Sequence, residues 1–397
     1  MHAGEMAGAR TAAGRPARML SFLVVCASAA TAAAAACGPP PKPPFPSVAS
    51  LASCSEFPDP WLRADGTRVK SAAEWKKHRE DTLALLEHYM YGHAPELPPV
   101  RSTLTATAER TEYCERVNNE CNHAGDEKNV TGCAMRCLPL QATQTQRNYT
   151  LRVGPSADKT VPFDVFVWVP KGLADGVKLP FVIYNGEGFY SGVEYGDLTA
   201  QGAKELLDRG FGLALFNRNM LRKDHKTGGC ATAGCSMGAP DGVQTVYPQN
   251  DWSTINVWAW GAAHVIDFLL LDPTLSPLVD PKKLMSMGHS RGGKTALWHG
   301  AQDERVAIAY PLMSGCSGNA AIRVATPYAK NTPDDGASQS VENINQEFPY
   351  WFSATYHNFS NGGDEDPKNV NSKAPWDQHF QRMLIAPRAQ FGFEGIR

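Results

Sequence analysis

Gly288-His289-Ser290-Arg291-Gly292-Gly293-Lys294 is the stretch that decides the fold of this 397-residue chain. A short apolar run, Leu284 to Met287, precedes it, and a helix-compatible run, Lys294 to Ala301, follows. Between a strand and a helix, G-x-S-x-G describes a nucleophile elbow. The turn lifts the serine hydroxyl above the sheet, and the glycines let the helix start close to the strand. Short patterns also recur by chance, so the surrounding chain must carry the same reading.

Apolar runs recur on both sides of the elbow. Phe163 to Val169, Phe181 to Tyr184, Phe211 to Phe216, Leu284 to Met287, Val306 to Tyr310 and Met383 to Ile385 are strand candidates. They are apolar at successive positions, as strands buried on both faces are. Helical segments alternate with them. Thr199 to Asp208 is one, and Ile255, Trp258, Ala262, Val265 and Leu269 form a core-facing stripe at helical spacing. Ser71-Ala72-Ala73-Glu74 reads as a capping box that opens a helix through Trp75, Leu83, Leu86 and Tyr89, with Gly92 as its stop. Alternating strands and helices with the serine on a strand-to-helix turn predict an α/β-hydrolase fold, a mostly parallel sheet flanked by helices.

Composition is that of a globular protein, 43% hydrophobic and 20% charged. A net charge of -2 gives no reason to expect nucleic acid as a partner. Arg10, Arg15 and Arg18 followed by the apolar run Met19 to Ala36 read as a signal peptide, residues 1–36. Ala34-Ala35-Ala36-Cys37 is similar to a bacterial lipobox, which would make Cys37 a lipidated first residue. The alternative is cleavage nearby with full secretion. Residues 37–56, with the proline-rich stretch Pro39 to Pro46, then read as a stiff tether, and a membrane would be met only through the lipid.

Export makes the remaining cysteines candidates for disulfides. Cys114, Cys121, Cys133 and Cys137 fall in a polar insert, about residues 103–150, of the domain 57–397. Cys133-x-x-x-Cys137 could be half of a zinc site, but Cys and His spacing supplies no convincing tetrahedral set. Local disulfides are expected here and for Cys230 with Cys235, and neither a metal nor a cofactor is expected.

A serine hydroxyl needs a base to become a nucleophile, usually a histidine oriented by a carboxylate. In this fold both follow the serine in the chain. Downstream of Ser290 stand His299, His357 and His379. His299 should be carried away by the helix after the elbow, and His357 sits in a polar stretch that reads as surface. His379, in Trp376-Asp377-Gln378-His379, is the candidate base, with Asp377 as its candidate acid.

From about Phe57 onward the chain resembles carbohydrate esterase family 15, the glucuronoyl esterases, and especially its bacterial members. The resemblance rests on Phe57-Pro58-Asp59-Pro60, Tyr89-Met90-Tyr91-Gly92, Trp258-Ala259-Trp260-Gly261 and the elbow itself. Asp303-Glu304-Arg305, Phe348-Pro349-Tyr350-Trp351-Phe352, Asp377-Gln378-His379 and Ala386-Pro387-Arg388 complete it. It implies a serine esterase acting on glucuronate esters that join plant xylan to lignin, with a carbohydrate ester as the substrate. It further implies Ser290 as nucleophile, Arg291 as a cation for the oxyanion and Lys294 as a donor to sugar hydroxyls. Glu347 and Gln339 fall where the family has sugar-binding residues, though a solvated loop is the alternative for both.

The chain also departs from the family. Met313 stands where the better-known family acid would, and methionine cannot orient an imidazole; Asp377 and Glu394 are the carboxylates left nearby. The family histidine belongs to a G-x-H segment after the last strands, whereas this sequence stops at Gly395-Ile396-Arg397. The expectation is therefore a serine esterase by family that lacks the last strand, helix and base, with loss of activity as one consequence to be tested. The alternatives are a surface lipoprotein that binds polysaccharide without cleaving it, an acetylxylan-type esterase, and a fragment with an exposed sheet edge.

Overall fold

The computed structural model describes residues 37–116, 135–186, 189–190, 193–194, 198–224, 240–324, 339–360 and 371–394. All lie in the compact unit Ala35–Arg397. The signal segment and the Cys230, Cys235 pairing lie outside the described residues.

The strands are β1 (Arg101–Arg116), β2 (Met135–Ser156), β3 (Lys159–Pro170), β4 (Leu179–Gly186), β5 (Phe189–Tyr190), β6 (Val193–Glu194), β7 (Gly212–Asn217), β8 (Val279–His289), β9 (Val306–Leu312) and β10 (Ala389–Gln390). They form one sheet in the order β10-β9-β8-β4-β7-β3-β2-β1-β6-β5. From β10 to β7 the pairings are parallel, and from β7 through β3 and β2 to β1 they are antiparallel. This is the expected α/β-hydrolase architecture, with β8, the strand that leads into Ser290, inside the parallel half.

Both sheet faces are buried, and alternation along β3 shows why. Phe163, Val165 and Val167 enter one core, while Phe166 and Trp168 enter the other. The larger core takes its helices from α1 (Ala72–Leu86), α4 (Thr254–Leu271) and α5 (Arg291–Gln302), and the smaller from α2 (Ala200–Asp208). Ser71 caps α1 as expected, accepting from the Glu74 backbone N–H at 3.2 Å. The returning carboxylate bond goes one residue further back, to the Lys70 N–H at 2.7 Å. Gly92 ends the following turn with φ 72°, and a side chain there would strike the Asp251 carbonyl, 2.3 Å from the Cβ position.

Three expectations are corrected. The stripe on α4 is a helix buried on every side over Thr254–Ile266. Its indoles are nonetheless satisfied: Trp258 Nε1 donates to the Arg222 carbonyl at 2.9 Å and Trp260 Nε1 to the Pro95 carbonyl at 3.1 Å. Met383 to Ile385 is not a strand but the last turn of a helix, His379–Ile385, which also carries Phe380 into the core. A three-residue apolar run carries no period of its own, whereas Phe380, Met383 and Leu384 fit helical spacing.

The third correction concerns the tether. Cys37 is bound to Cys54 in a disulfide, with 1.95 Å between the sulfurs. The segment between them lies on the domain: Phe45 stacks on His88 at 4.9 Å, the Tyr89 hydroxyl donates to the Pro46 carbonyl at 2.7 Å, and Val48 is buried. Residues 37–56 are therefore packed rather than spacing the domain from a membrane. A sulfur in a disulfide cannot also carry a thioether lipid, so this pairing and lipidation of Cys37 exclude each other.

In the insert, Cys114 and Cys137 face each other across β1 and β2 and form the expected local disulfide. The Cys137 sulfur is therefore no thiolate for a metal. Cys121 and Cys133 lie outside the described residues.

Candidate active site

Ser290 sits between β8 and α5 with φ 53° and ψ −118°, a conformation that non-glycine residues rarely take. Such strain persists only where the surroundings over-determine it. Here they do. The Ser290 backbone N–H donates to the Leu312 carbonyl at 2.8 Å, tying the turn to β9. Asn185, at the end of β4, donates through Nδ2 to the Met287 and Gly292 carbonyls at 3.0 and 3.1 Å, spanning both sides of the serine. Arg218 in turn donates to the Asn185 carbonyl at 2.8 Å.

The glycines are required by contact rather than by φ. A Cβ on Gly288 would lie 2.4 Å from the Gly292 carbonyl oxygen, and one on Gly292 would lie 2.7 Å from Asn185 Oδ1. Asn185 and Arg218 carried no motif in the sequence, where the hint was a polar residue at or just past the end of an apolar strand.

Arg291 opens α5, whose N-terminal dipole favours negative charge at this place. Its Nη1 donates to Asp224 Oδ2, and its guanidinium carbon lies 5.4 and 5.1 Å from the Phe348 and Trp351 ring centres. Those two rings stack face to face, 3.8 Å apart and 3° from parallel. Asp224, 6% exposed, also accepts from the Tyr350 hydroxyl at 2.7 Å and from Trp351 Nε1 at 3.0 Å. The Phe348-Pro349-Tyr350-Trp351-Phe352 run thus supplies the wall against which the cation lies.

Lys294, one turn into α5, is 3% exposed and donates from Nζ to the Ser314 carbonyl, with the Trp351 ring centre 5.7 Å away. Burial lowers its ammonium to about 8, against smaller opposing effects of Cys316 and Glu394. The lysine is therefore more enclosed than a donor on an open rim, and its hydrogen bond ties α5 to the loop after β9 although burial disfavours its charge.

That loop holds Met313, at φ 47° and 42% exposed, where the family acid was sought. A carboxylate nevertheless serves the same loop. Glu394 Oε1 accepts from the Ser314 N–H and hydroxyl at 3.0 and 2.9 Å, and Oε2 from the Gly315 N–H at 3.0 Å. The Oε1 of Gln339 lies 3.6 Å from the Cβ position of Gly315, so this exposed residue borders the same turn. Glu347 is exposed at the end of the helix α6 (Val341–Glu347), next to Phe348.

Asp377 and His379 are not brought to Ser290, and they are not brought to each other. Asp377 is fully buried. It accepts from the backbone N–H groups of Ile322 and Gln378 at 2.8 and 2.6 Å and pairs with Arg323 at 3.3 Å. His379 Nε2 bonds the Pro58 carbonyl at 2.8 Å. Both residues brace the loop around Ile322 and the start of the domain, which corrects their reading as acid and base.

His299 is carried away from the hydroxyl as expected, with Nδ1 bonded to the Ser286 hydroxyl at 2.9 Å. His357 is buried, not on the surface: its Nε2 bonds the Pro349 carbonyl at 2.6 Å, and burial lowers its pKa. Among the described residues no histidine is hydrogen-bonded to Ser290.

A model of the fungal glucuronyl esterase family matches residues 229–396. A carbohydrate esterase, MZ0003, from an unknown prokaryotic organism is 28% identical, over 83% of this chain and 71% of its own length. The 4-O-methyl-glucuronoyl methylesterase 1 of Wolfiporia cocos is 25% identical, over 88% of this chain and 68% of its own. Among solved structures, a promiscuous CE15 esterase from a marine bacterial metagenome superposes with a TM-score of 0.57 at 23% identity, over 87% of this chain and 80% of that one. A glucuronoyl esterase from Teredinibacter turnerae gives 0.59 at 19%, over 85% and 71%. At these identities the superpositions speak for the fold, and the matched elbow, aromatic wall and Asp303-Glu304-Arg305 lie within the span of the family model. The chain thus matches the glucuronyl esterase family model over residues 229–396 and is similar over most of its length to carbohydrate esterases and 4-O-methyl-glucuronoyl methylesterases.

Proposed function

We propose that this protein hydrolyses carboxylic esters of glucuronic acid or its 4-O-methyl ether, with Ser290 as nucleophile. The observation that carries the reading is the elbow. Ser290 is strained, braced by Asn185 and partly exposed, and a cation fixed against an aromatic wall stands at the next position.

In the first step the Ser290 oxygen adds to the ester carbonyl as its proton passes to a general base, a role that none of His299, His357 and His379 fills in the described structure. The electron pair then on the carbonyl oxygen is stabilised by Arg291 and by the positive end of α5. Collapse of the tetrahedral species expels the alcohol, which takes up the proton, and leaves an acyl-serine. Water repeats the sequence and releases the glucuronate. Lys294 favours a substrate with electron-rich oxygens, and the exposed Gln339, beside the Gly315 turn, and Glu347, at the end of α6, are the further candidates for sugar binding.

The substrate class follows from the relatives. These include 4-O-methyl-glucuronoyl methylesterases, and one structural neighbour is a glucuronoyl esterase crystallised with methyl 4-O-methyl-β-D-glucopyranuronate. Xylan-to-lignin esters are the natural extension of that chemistry.

We also propose that the chain is exported. The Cys37–Cys54 and Cys114–Cys137 disulfides support this reading, and they favour secretion with an oxidised Cys37 over a lipid anchor at that residue.

Substrate class is tested by offering the purified protein benzyl glucuronate and acetylated xylan side by side. Acid release from the first and none from the second supports the reading. Acetate release alone would make it an acetylxylan-type esterase, and retention of glucuronoxylan without any release would make it a binding protein.

A further inference from the structure

We propose that Asp224 is a positioning residue of this esterase, whose charge fixes the Arg291 guanidinium beside Ser290 before the oxyanion forms. The proposal rests on the esterase reading of Ser290 and Arg291.

Three observations converge on it. First, an arginine at the position after the nucleophile has long side-chain freedom, and ordering it costs entropy at the moment it is needed. Here Nη1 is held by Asp224 while the guanidinium plane lies over Phe348 and Trp351. Second, Asp224 is 6% exposed, and a carboxylate so placed needs a reason to be charged. Tyr350 and Trp351 give it two neutral donors on Oδ1, a task that an asparagine would perform equally well. Among the described residues Arg291, on Oδ2, is the cation hydrogen-bonded to it, and that bond calls for the negative charge. Third, although burial pushes the Asp224 carboxyl up, the Arg291 and Arg218 charges outweigh it and leave its pKa below the ordinary value.

The arrangement has a cost as well as a gain. An anion beside Arg291 offsets part of the cation that the oxyanion meets. The gain is orientation, since a donor already in place needs no reorganisation during the reaction. The same carboxylate ties the aromatic wall to the arginine, so the wall and the cation are set as one unit. Asp224 stands 67 residues before Arg291 in the chain, which is why no local motif betrays it.

The test is a double-mutant cycle on methyl glucuronate with Asp224→Asn, Arg291→Gln and the two combined. Asp224→Asn keeps the acceptor for Tyr350 and Trp351 and removes the charge together with the acceptor for Arg291. Its kcat is expected to fall on the order of ten- to a hundred-fold, with KM within about twofold of the parent. The combined variant should match Arg291→Gln alone, and Asp224→Glu should lie between the parent and Asp224→Asn. Losses that multiply in the combined variant would overturn the proposal, as would a raised KM at unchanged kcat.

If Asp224→Asn does not melt cooperatively, Asp224→Glu decides, and an undiminished kcat there overturns the proposal. Absence of any Ser290-dependent hydrolysis in the parent would remove the esterase reading and this proposal with it. Hydrolysis by the parent with multiplying losses would remove the proposal alone.

Discussion

Glu394 holds Ser314 from both ends, accepting its backbone N–H at 3.0 Å and its hydroxyl at 2.9 Å through one carboxylate oxygen. The other oxygen takes the Gly315 N–H at 3.0 Å. One carboxylate thus sets the loop that follows β9 and receives the Lys294 ammonium. In Glu394→Gln one oxygen can keep its bonds, but the amide nitrogen then confronts an N–H. A donor left without an acceptor costs about 1–3 kcal/mol. The variant is expected to melt a few degrees lower, read by calorimetry, and to lose on the order of tenfold in kcat through misplacement of the loop beside Ser290.

Gly292→Ala should test the bracing of the elbow. Its Cβ would come within 2.7 Å of Asn185 Oδ1 and 3.0 Å of an Arg218 nitrogen, both held in place by other bonds. Overpacking of this kind costs about 1–3 kcal/mol. Denaturant unfolding should show that loss, together with a reduced kcat in the fraction that remains folded. Unchanged stability and activity would mean that the Asn185 brace is dispensable.

The local part of this architecture was legible in the chain, and the long-range part was not. The elbow, the Ser71 cap and five of the strand runs follow from adjacent residues, and the structure places them as read. Met383 to Ile385 misled because three apolar residues fit a strand and a helix end equally. The proline-rich segment read as a spacer because its composition carries no sign of the Cys37–Cys54 disulfide that folds it back. Asn185, Asp224 and Glu394 act on the elbow and its loop across 107, 67 and 80 residues. Sheet topology, not spacing, brings them together. Asp377 and His379 looked like a catalytic pair because they are close in sequence, yet each is committed to a different part of the fold.

Lys294 should give a pH signature. Burial lowers its pKa from 10.5 to about 8, with Cys316, Glu394 and Arg291 as the charged or titratable groups that act on it. Between those values the unfolded chain binds a proton that the folded chain does not, so this group's contribution to stability rises with pH across the window. It is full above 10.5 and absent below about 8. Substrate binding should move the other way, with KM rising as the pH passes about 8 and the ammonium discharges. Lys294→Met is expected to keep or raise the melting temperature at neutral pH while raising KM roughly tenfold, the loss of a charge-assisted hydrogen bond. Flat KM across this range would show that the ammonium does not touch substrate.

The state of Cys37 is readable by mass. Protein recovered from an exporting host should yield a Cys37–Cys54 linked peptide that separates on reduction. A peptide carrying a diacylglyceryl mass at Cys37 would instead establish the lipid anchor and break the pairing.

The central claim is that Ser290 attacks a glucuronate ester, and acid release from methyl glucuronate by the parent chain and by Ser290→Ala measures it most directly. The account predicts steady release by the parent and a loss of several orders of magnitude in the variant, with cooperative melting kept in both. Release that survives the substitution would contradict it, and so would a folded parent that releases none.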